Sequence, residues 1–267
     1  YNGSFYKKRG MGLVAEVIQK EDLVQPHWAG IGHTRYPTTK TATLKDVQPS
    51  TSGSLSVAHN GHITNYQEIR NELEEKKYVF EGTVDSEAIL YLMTDKLREG
   101  ATLREAVGHA MEKLDGAYSV VGIYDRKVFV FRDPHGIRPL TYGEDENSII
   151  FCSESTGLDM NLVPYSGSIQ PGELAIIDEN GNMEKETLLN KGARHCMFEY
   201  VYFSRPDSII NGKLVEQVRK ELGKQLAEEA PVEADLVIPV PDTSRSAALG
   251  FAKETGVEYT EGIIKNR

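Results

Sequence analysis

A chain of 267 residues, 39% hydrophobic and 26% charged, has the composition of a globular protein with one large domain or two ordinary ones. Its formal net charge of −10 argues against nucleic acid or an anionic membrane as partner, though a few local cations can still hold a small anionic substrate. With two cysteines, Cys152 and Cys196, no run long enough to span a membrane and no signal-peptide pattern, the sequence excludes a disulfide framework and points to the cytoplasm.

The chain opens on Tyr1-Asn2-Gly3-Ser4 rather than Met and stops at Ile264-Lys265-Asn266-Arg267, straight after a strand-like run, so both ends read as cut. After a basic start at Lys7, Lys8 and Arg9, residues 12–18 suit either a strand or a short helix. Residues 28–33 read as a short buried strand running into Gly32-His33-Thr34-Arg35-Tyr36-Pro37-Thr38-Thr39, a hydroxyl-rich loop in which Pro37 forbids helix. Arg35, at the end of that strand, is a candidate for holding a carboxylate through its two-pronged guanidinium; its plainer role is an ion pair or a loop anchor. Residues 55–58 read as a strand, and Tyr66, Ile69 and Leu73 share one face of a following helix that Thr64 or Asn65 can cap. Asn60-Gly61 falls where the strand stops and the chain turns. Alone, the dipeptide reads first as a tight turn. Its chemical reading is an oxyanion hole, with the Asn60 amide and the Gly61 backbone N–H aimed at one spot and glycine admitting the substrate to the backbone.

Asp85, in Val84-Asp85-Ser86-Glu87, opens a helix carrying Ile89, Leu92, Met93 and Leu97, either as a plain N-cap or as a carboxylate presented to a substrate ammonium. Thr102-Leu103-Arg104-Glu105 is a capping box for a structural helix with Ala106, Val107, Ala110 and Met111. Residues 117–124 and 127–132 form a hairpin through Asp125-Arg126, and further strands are expected at 140–143, 148–153, 173–177 and 183–187. Strands, helices and strands in this order give an α+β sandwich, helices packed on antiparallel sheets, over residues 1–192. Past a polar linker at 189–192 comes a long helix over 214–229 with Leu214, Val218, Leu222 and Leu226 on one face. An apolar strand at 236–240, a small-residue helix at 247–253 and a strand at 257–259 follow, the grammar of a parallel α/β sheet only begun within 193–267.

Together, His33-Thr34-Arg35-Tyr36, His59-Asn60-Gly61 and Val84-Asp85-Ser86-Glu87 resemble the glutaminase domain of amidotransferases whose nucleophile is an N-terminal cysteine. The resemblance implies the N-terminal-nucleophile glutaminase fold, Arg35 on the glutamine α-carboxylate, Asp85 on its α-ammonium, and Asn60 and Gly61 as the oxyanion hole. The segment Arg132-Asp133-Pro134-His135-Gly136-Ile137-Arg138-Pro139-Leu140 also fits this group and is read as scaffold, with Arg132 and Asp133 paired structurally rather than reactive. The stretch from Cys196-Met197-Phe198-Glu199 to Arg205-Pro206-Asp207-Ser208, then Ile238-Pro239-Val240-Pro241-Asp242-Thr243, and the closing Ile264-Lys265-Asn266-Arg267 look like the glutamine phosphoribosylpyrophosphate amidotransferase family across nearly the whole chain. That likeness implies ammonia released from glutamine and used to displace pyrophosphate from phosphoribosylpyrophosphate, giving 5-phosphoribosylamine, the first step of purine synthesis. It further implies a cytoplasmic homo-oligomer inhibited by purine nucleotides. Residues 193–267 would begin a type I phosphoribosyltransferase domain, working with Mg²⁺ whose ligands are not in this chain.

Some features depart from the family pattern. The nucleophile should be a cysteine whose own α-amino group serves as base, yet Tyr1 stands first and neither Cys152 nor Cys196 can take that role. No Asp-Asp pair leads into a phosphate-gripping loop, so the chain alone is expected to be inert. Some relatives place an iron–sulfur ligand at Cys196, but such clusters take four thiolates; a buried apolar Cys196 is expected, and no metal ligand is assigned. Pro37 and Lys40 replace the Ser and Gly expected in the arginine loop. Two rival readings are a sugar-phosphate aminating enzyme or asparagine synthetase with the same glutaminase pattern, and a non-catalytic nucleotide sensor of phosphoribosyltransferase-like fold.

Overall fold

The computed structural model describes residues 4–23, 27–35 and 43–266; Tyr1, Arg267 and the loop positions Tyr36, Pro37, Thr38, Thr39 and Lys40 lie outside the described residues. In chain order the elements are α1 (Val14–Val17), β1 (Ser50–Ser52), β2 (Leu55–Ile63), α2 (Tyr66–Glu75), α3 (Ser86–Arg98), α4 (Leu103–Lys113), β3 (Gly116–Tyr124) and β4 (Lys127–Arg132). Then follow β5 (Thr141–Glu144), β6 (Ile149–Cys152), α5 (Thr156–Asp159), β7 (Tyr165–Ser168), β8 (Glu173–Ile177) and β9 (Met183–Thr187). The last are β10 (Ile209–Ile210), β11 (Lys213–Leu214), α6 (Val215–Glu229), β12 (Leu236–Val237), α7 (Arg245–Thr255) and β13 (Glu258–Tyr259).

Residues up to Leu140 and Ile169–Arg194 make one compact unit. Its centre is an antiparallel sheet of six strands in the order β1-β2-β3-β4-β8-β9. Alternate residues of the central strands, Leu55, Val57 and Ile63, Tyr118 and Val120, Phe129 and Phe131, join Ile69, Leu73, Ile89, Leu92, Met93, Val107 and Met111 of α2, α3 and α4 in one buried cluster. Each such side chain removed from water contributes about 1.5–3 kcal/mol, which is what seats the helices on the sheet and gives the expected α+β arrangement. The hairpin at Asp125 and Arg126 has the positive φ angles (43° and 60°) that match the twist of its strands. The capping box is present too: Glu105 N donates to Thr102 Oγ1 at 3.2 Å, and Thr102 N to Glu105 Oε2 at 2.8 Å.

Of the two forms open to the run at 12–18 the structure takes the short helix, α1, with Leu13 and Val14 exposed. Three other local expectations are overturned. Residues 28–33 form no strand. Glycines at 30 and 32 leave that segment with little to pack, and the Gln48 side chain occupies the His59 backbone groups that a strand could pair with. The strand expected to stop at 58 instead runs to Ile63, with Asn60 opposite Ser119 and Gly61 opposite Tyr118, so Asn60-Gly61 is not a turn. Asn65 stands at the N-cap of α2 without capping it; its amide bridges instead to Lys113 O and Asp115 N.

Thr141–Ser168 and His195–Arg267 form the second unit. Sequence reading places 141–168 in the first domain, whereas by contact this stretch groups with the C-terminal one. Glu154 accepts from Ser208 Oγ at 2.5 Å and Arg205 N at 2.9 Å, and Ser155 Oγ accepts from Ile209 N at 2.8 Å. Within this unit β6-β5-β7 form an antiparallel sheet, and β12 and β13 pair in parallel across α7, the strand–helix–strand order anticipated. The buried stripe of α6 is Val215, Arg219, Gly223 and Ala227, one residue on from the expected leucine face, and Leu226 is 54% exposed. The reason is close helix packing: a Cβ on Gly223 would overlap the Ala247 carbonyl oxygen, and one on Gly250 that of Lys220. The small residues, not the leucines, therefore face α7. Among the described residues no helix is long and apolar enough to cross a membrane.

Candidate active site

β3 lines β2 from Leu55 to Ile63, but β1 covers the other edge only over Leu55, Ser56 and Val57. Alternate residues of a strand point their N–H and C=O to the same edge. On the uncovered edge Gln48 Oε1 accepts from His59 N at 2.7 Å, Gln48 Nε2 donates to His59 O at 3.2 Å, and Ile63 N donates to Asp85 Oδ2 at 2.9 Å. Gly61 lies midway between His59 and Ile63, so its N–H turns to this same open edge. The opposite strand agrees, since Tyr118, facing Gly61, bonds away from β2: its N donates to Asp133 Oδ2 at 3.3 Å and its O accepts from Asp133 N at 2.8 Å. Gly61 has φ +151°, and a Cβ there would overlap the Ala117 carbonyl oxygen and press within 2.7 Å of Tyr118 Cα. Only glycine lets β2 run this close to β3 here.

Asp85 opens α3, yet its carboxylate does not cap the helix; it turns to β2. Besides the Ile63 N–H, its oxygens lie 3.5 Å from His59 Nε2 and 3.8 Å from His62 Nδ1. Burial pushes the Asp85 pKa up, but the His59 imidazole and the Ile63 N–H outweigh it and hold the group below the ordinary carboxylate value. The side chain remains 20% exposed, within reach of a ligand. Behind it His59 is buried, with neither ring nitrogen hydrogen-bonded among the described residues. His33 Nε2 lies 3.4 Å from Gln48 Nε2, and burial, with His59 close by, pushes its pKa down to about 4, so it is neutral at pH 7.

Arg35 donates from Nη1 to Asp46 O at 3.1 Å and has no carboxylate partner among the described residues, which sets aside the plain ion pair. The Asp46 side chain accepts from Thr43 N (2.9 Å), Thr43 Oγ1 (2.8 Å), Thr83 N (2.9 Å) and Thr83 Oγ1 (3.0 Å). It thereby ties the Arg35 anchor to the segment that delivers Asp85 two residues later. Burial raises the Asp46 pKa, but these hydrogen bonds prevail and lower it from 3.8 to about 2. A carboxylate depressed in the folded state stabilises above its unfolded pKa and loses that contribution as pH falls. The protein should therefore lose stability between pH 4 and pH 2, about the interval between the two pKa values, and Asp46→Ala should flatten that dependence in urea unfolding followed against pH.

Asn60 Oδ1 accepts from Arg138 Nη2 at 2.7 Å. Arg138 sits in the turn after β4, where Asp133, fully buried, accepts from the N–H of His135, Ile137 and Arg138. Arg132 donates to Arg138 O (2.6 Å), Gly136 O (2.6 Å) and Ile169 O (2.8 Å). Arg132 and Asp133, expected as a structural pair, thus each clamp the backbone of this turn. Sequence reading treated Arg138 only as scaffold and missed Gln48, His59 and Asp46 as well. Arg138 lies between Pro134 and Pro139 of a rigid turn, but only the folded structure shows that it reaches Asn60.

Of the four residues singled out from sequence, Gly61 and Asp85 meet along one strand edge, Asn60 adjoins them with its amide oxygen fixed, and Arg35 is linked to them through Asp46. Among the described residues no group of three or more His, Cys, Asp or Glu could hold a metal. Cys152 and Cys196 carry no disulfide, and Cys196, expected buried, is half-buried. The two cysteines of this chain fall short of the four thiolates that an iron–sulfur cluster takes.

A family model described as a glutamine amidotransferase domain matches residues 33–160. The amidophosphoribosyltransferase of Archaeoglobus fulgidus is 42% identical over 100% of the chain and 60% of its own length. Among solved structures, the glutamine phosphoribosylpyrophosphate amidotransferase from B. subtilis complexed with ADP and GMP superposes with a TM-score of 0.80 at 38% identity, covering 88% of this chain and 51% of that one. A structure described as the allosteric regulatory enzyme of purine biosynthesis gives a TM-score of 0.86 at 38% identity, over 96% of this chain and 56% of that one. The chain thus spans about 60% of the length of the first curated relative.

Proposed function

We propose, from its likeness to amidophosphoribosyltransferases, that the chain carries the glutamine-holding part of an enzyme that releases ammonia from glutamine and uses it to displace pyrophosphate from phosphoribosylpyrophosphate, giving 5-phosphoribosylamine. The observation that carries this reading is the open edge of β2, where the Gly61 N–H lies beside an Asp85 held in its charged form. Glutamine is a zwitterion, so a fixed guanidinium (Arg35) and a fixed carboxylate (Asp85) orient its side-chain amide. When a thiolate adds to the amide carbon, the carbonyl electrons move onto oxygen, and N–H donors from Gly61 and Asn60 meet that charge. Neither Cys152 nor Cys196 has a free α-amino group; in this reading an N-terminal cysteine of the full-length protein is the nucleophile.

In this reading residues 1–192 serve as the glutaminase domain, although 141–168 groups by contact with the C-terminal unit, and 193–267 as the first part of a phosphoribosyltransferase domain, for which the parallel β12–α7–β13 arrangement speaks. Mg²⁺ would be held by residues outside this chain. The relative solved with ADP and GMP supports control by purine nucleotides. Cytoplasmic location and a homo-oligomer belong to the same reading. The test is Asp85→Ala in the full-length protein. Synthesis from glutamine should fall by at least about tenfold, mainly through KM, as expected on losing a charged partner. Synthesis from free ammonia should be spared. Equal loss of both activities would make Asp85 a structural residue and overturn the assignment.

A further inference from the structure

A guanidinium carries donors only. The atom of the Asn60 amide that faces Arg138 Nη2 at 2.7 Å is therefore its oxygen, and the NH₂ occupies the other branch. This matters because an asparagine amide presents an acceptor and donors on two branches of the same shape, and a half-turn exchanges them. With the amide turned the wrong way, a carbonyl oxygen would meet the developing oxyanion and repel it.

Arg138 is well placed to prevent that exchange, because its own position is fixed from the residue opposite Asn60. Ser119, the ladder partner of Asn60, donates from Oγ to Arg138 O at 3.1 Å and Pro139 O at 3.0 Å. Asp133 holds the Arg138 N–H at 3.2 Å and Arg132 Nε holds its carbonyl at 2.6 Å. All of these contacts are to the backbone of Arg138 and Pro139, so they survive a change of the Arg138 side chain.

We infer that Arg138 is a positioning residue for the oxyanion hole, fixing the Asn60 amide with its NH₂ toward the reacting carbonyl; the inference rests on the glutaminase reading above. The test uses the full-length protein with Arg138→Met, Arg138→Lys, Asn60→Ala and the Asn60→Ala/Arg138→Met double variant. Arg138→Met should lower kcat for glutamine hydrolysis by about tenfold, leave KM for glutamine within about twofold, and leave synthesis from ammonia unchanged. Arg138→Lys, which keeps a donor-only group, should lose no more than about threefold. On the Asn60→Ala background Arg138→Met should cost less than about twofold more, because the two residues act through one group. An unaltered kcat in Arg138→Met, losses that multiply in the double variant, or an equal fall in ammonia-dependent synthesis would each overturn the inference. If Asn60→Ala itself leaves glutamine hydrolysis intact, the glutaminase reading fails instead.

Discussion

Asn60→Ala in the full-length protein should lower kcat for glutamine hydrolysis by about 10²–10³-fold, the cost of about 2.7–4 kcal/mol that follows removal of one oxyanion-hole donor. On the proposed glutaminase reading the loss should fall on kcat because the interaction forms only as charge gathers on the amide oxygen; KM for glutamine, which that reading assigns to Arg35 and Asp85, should change little. The fold gives no reason for a wider effect. Asn60 contributes its backbone to the ladder opposite Ser119, which alanine does equally well, and its side chain is only half-buried on β2. Removing it leaves the Arg138 guanidinium short of one acceptor, and thermal unfolding should show this as a minor change. Steady-state rates with glutamine and with ammonium salts, measured on one preparation, separate the outcomes. A tenfold or larger fall in the ammonia reaction would mean that Asn60 supports the fold rather than the transition state.

The same residues show how far local sequence carries. Asn60-Gly61 has the composition of a turn, and nothing within a few residues contradicts that. What overrides it is a strand nearly sixty residues later, whose register places Ser119 and Tyr118 opposite the pair. Gly61 is needed for the close approach of Ala117 rather than for a change of direction. Asp85 was legible as a helix start because its neighbours have helical spacing, but the turn of its carboxylate to β2 depends on where α3 packs. Core positions such as Ile69, Leu73, Ile89 and Met93 followed from periodicity, since burying one face of a helix is a local property of the pattern. On α6 the same rule failed by one residue, because glycine contacts with α7 outweighed the leucine stripe. Gln48 and Arg138 carried no local signal at all; each acts as a side-chain partner to a strand that its own segment does not resemble.

Asp133→Ala should be the most destabilising of these substitutions, at about 3–5 kcal/mol, or roughly 10 °C in Tm for a unit of this size. Asp133 is fully buried, and its two oxygens accept from Tyr118 N (3.3 Å), His135 N (3.0 Å), Ile137 N (2.9 and 3.1 Å) and Arg138 N (3.2 Å). Alanine would leave four N–H groups facing a small void, each costing on the order of 1 kcal/mol or more unless water enters. Asn is a poor remedy, because its NH₂ would confront donors already aimed at an oxygen; its loss should be intermediate rather than absent. The damage should spread along the turn to Arg138 and from there to the Asn60 amide. At temperatures where the variant still folds, glutamine hydrolysis should therefore fall more than ammonia-dependent synthesis. Urea or thermal unfolding of Asp133→Ala and Asp133→Asn beside the parent, with both activities assayed below the transition, checks each part. A change of less than about 1 kcal/mol for Asp133→Ala would show that water replaces the carboxylate at little cost and that the turn is held by Arg132 alone.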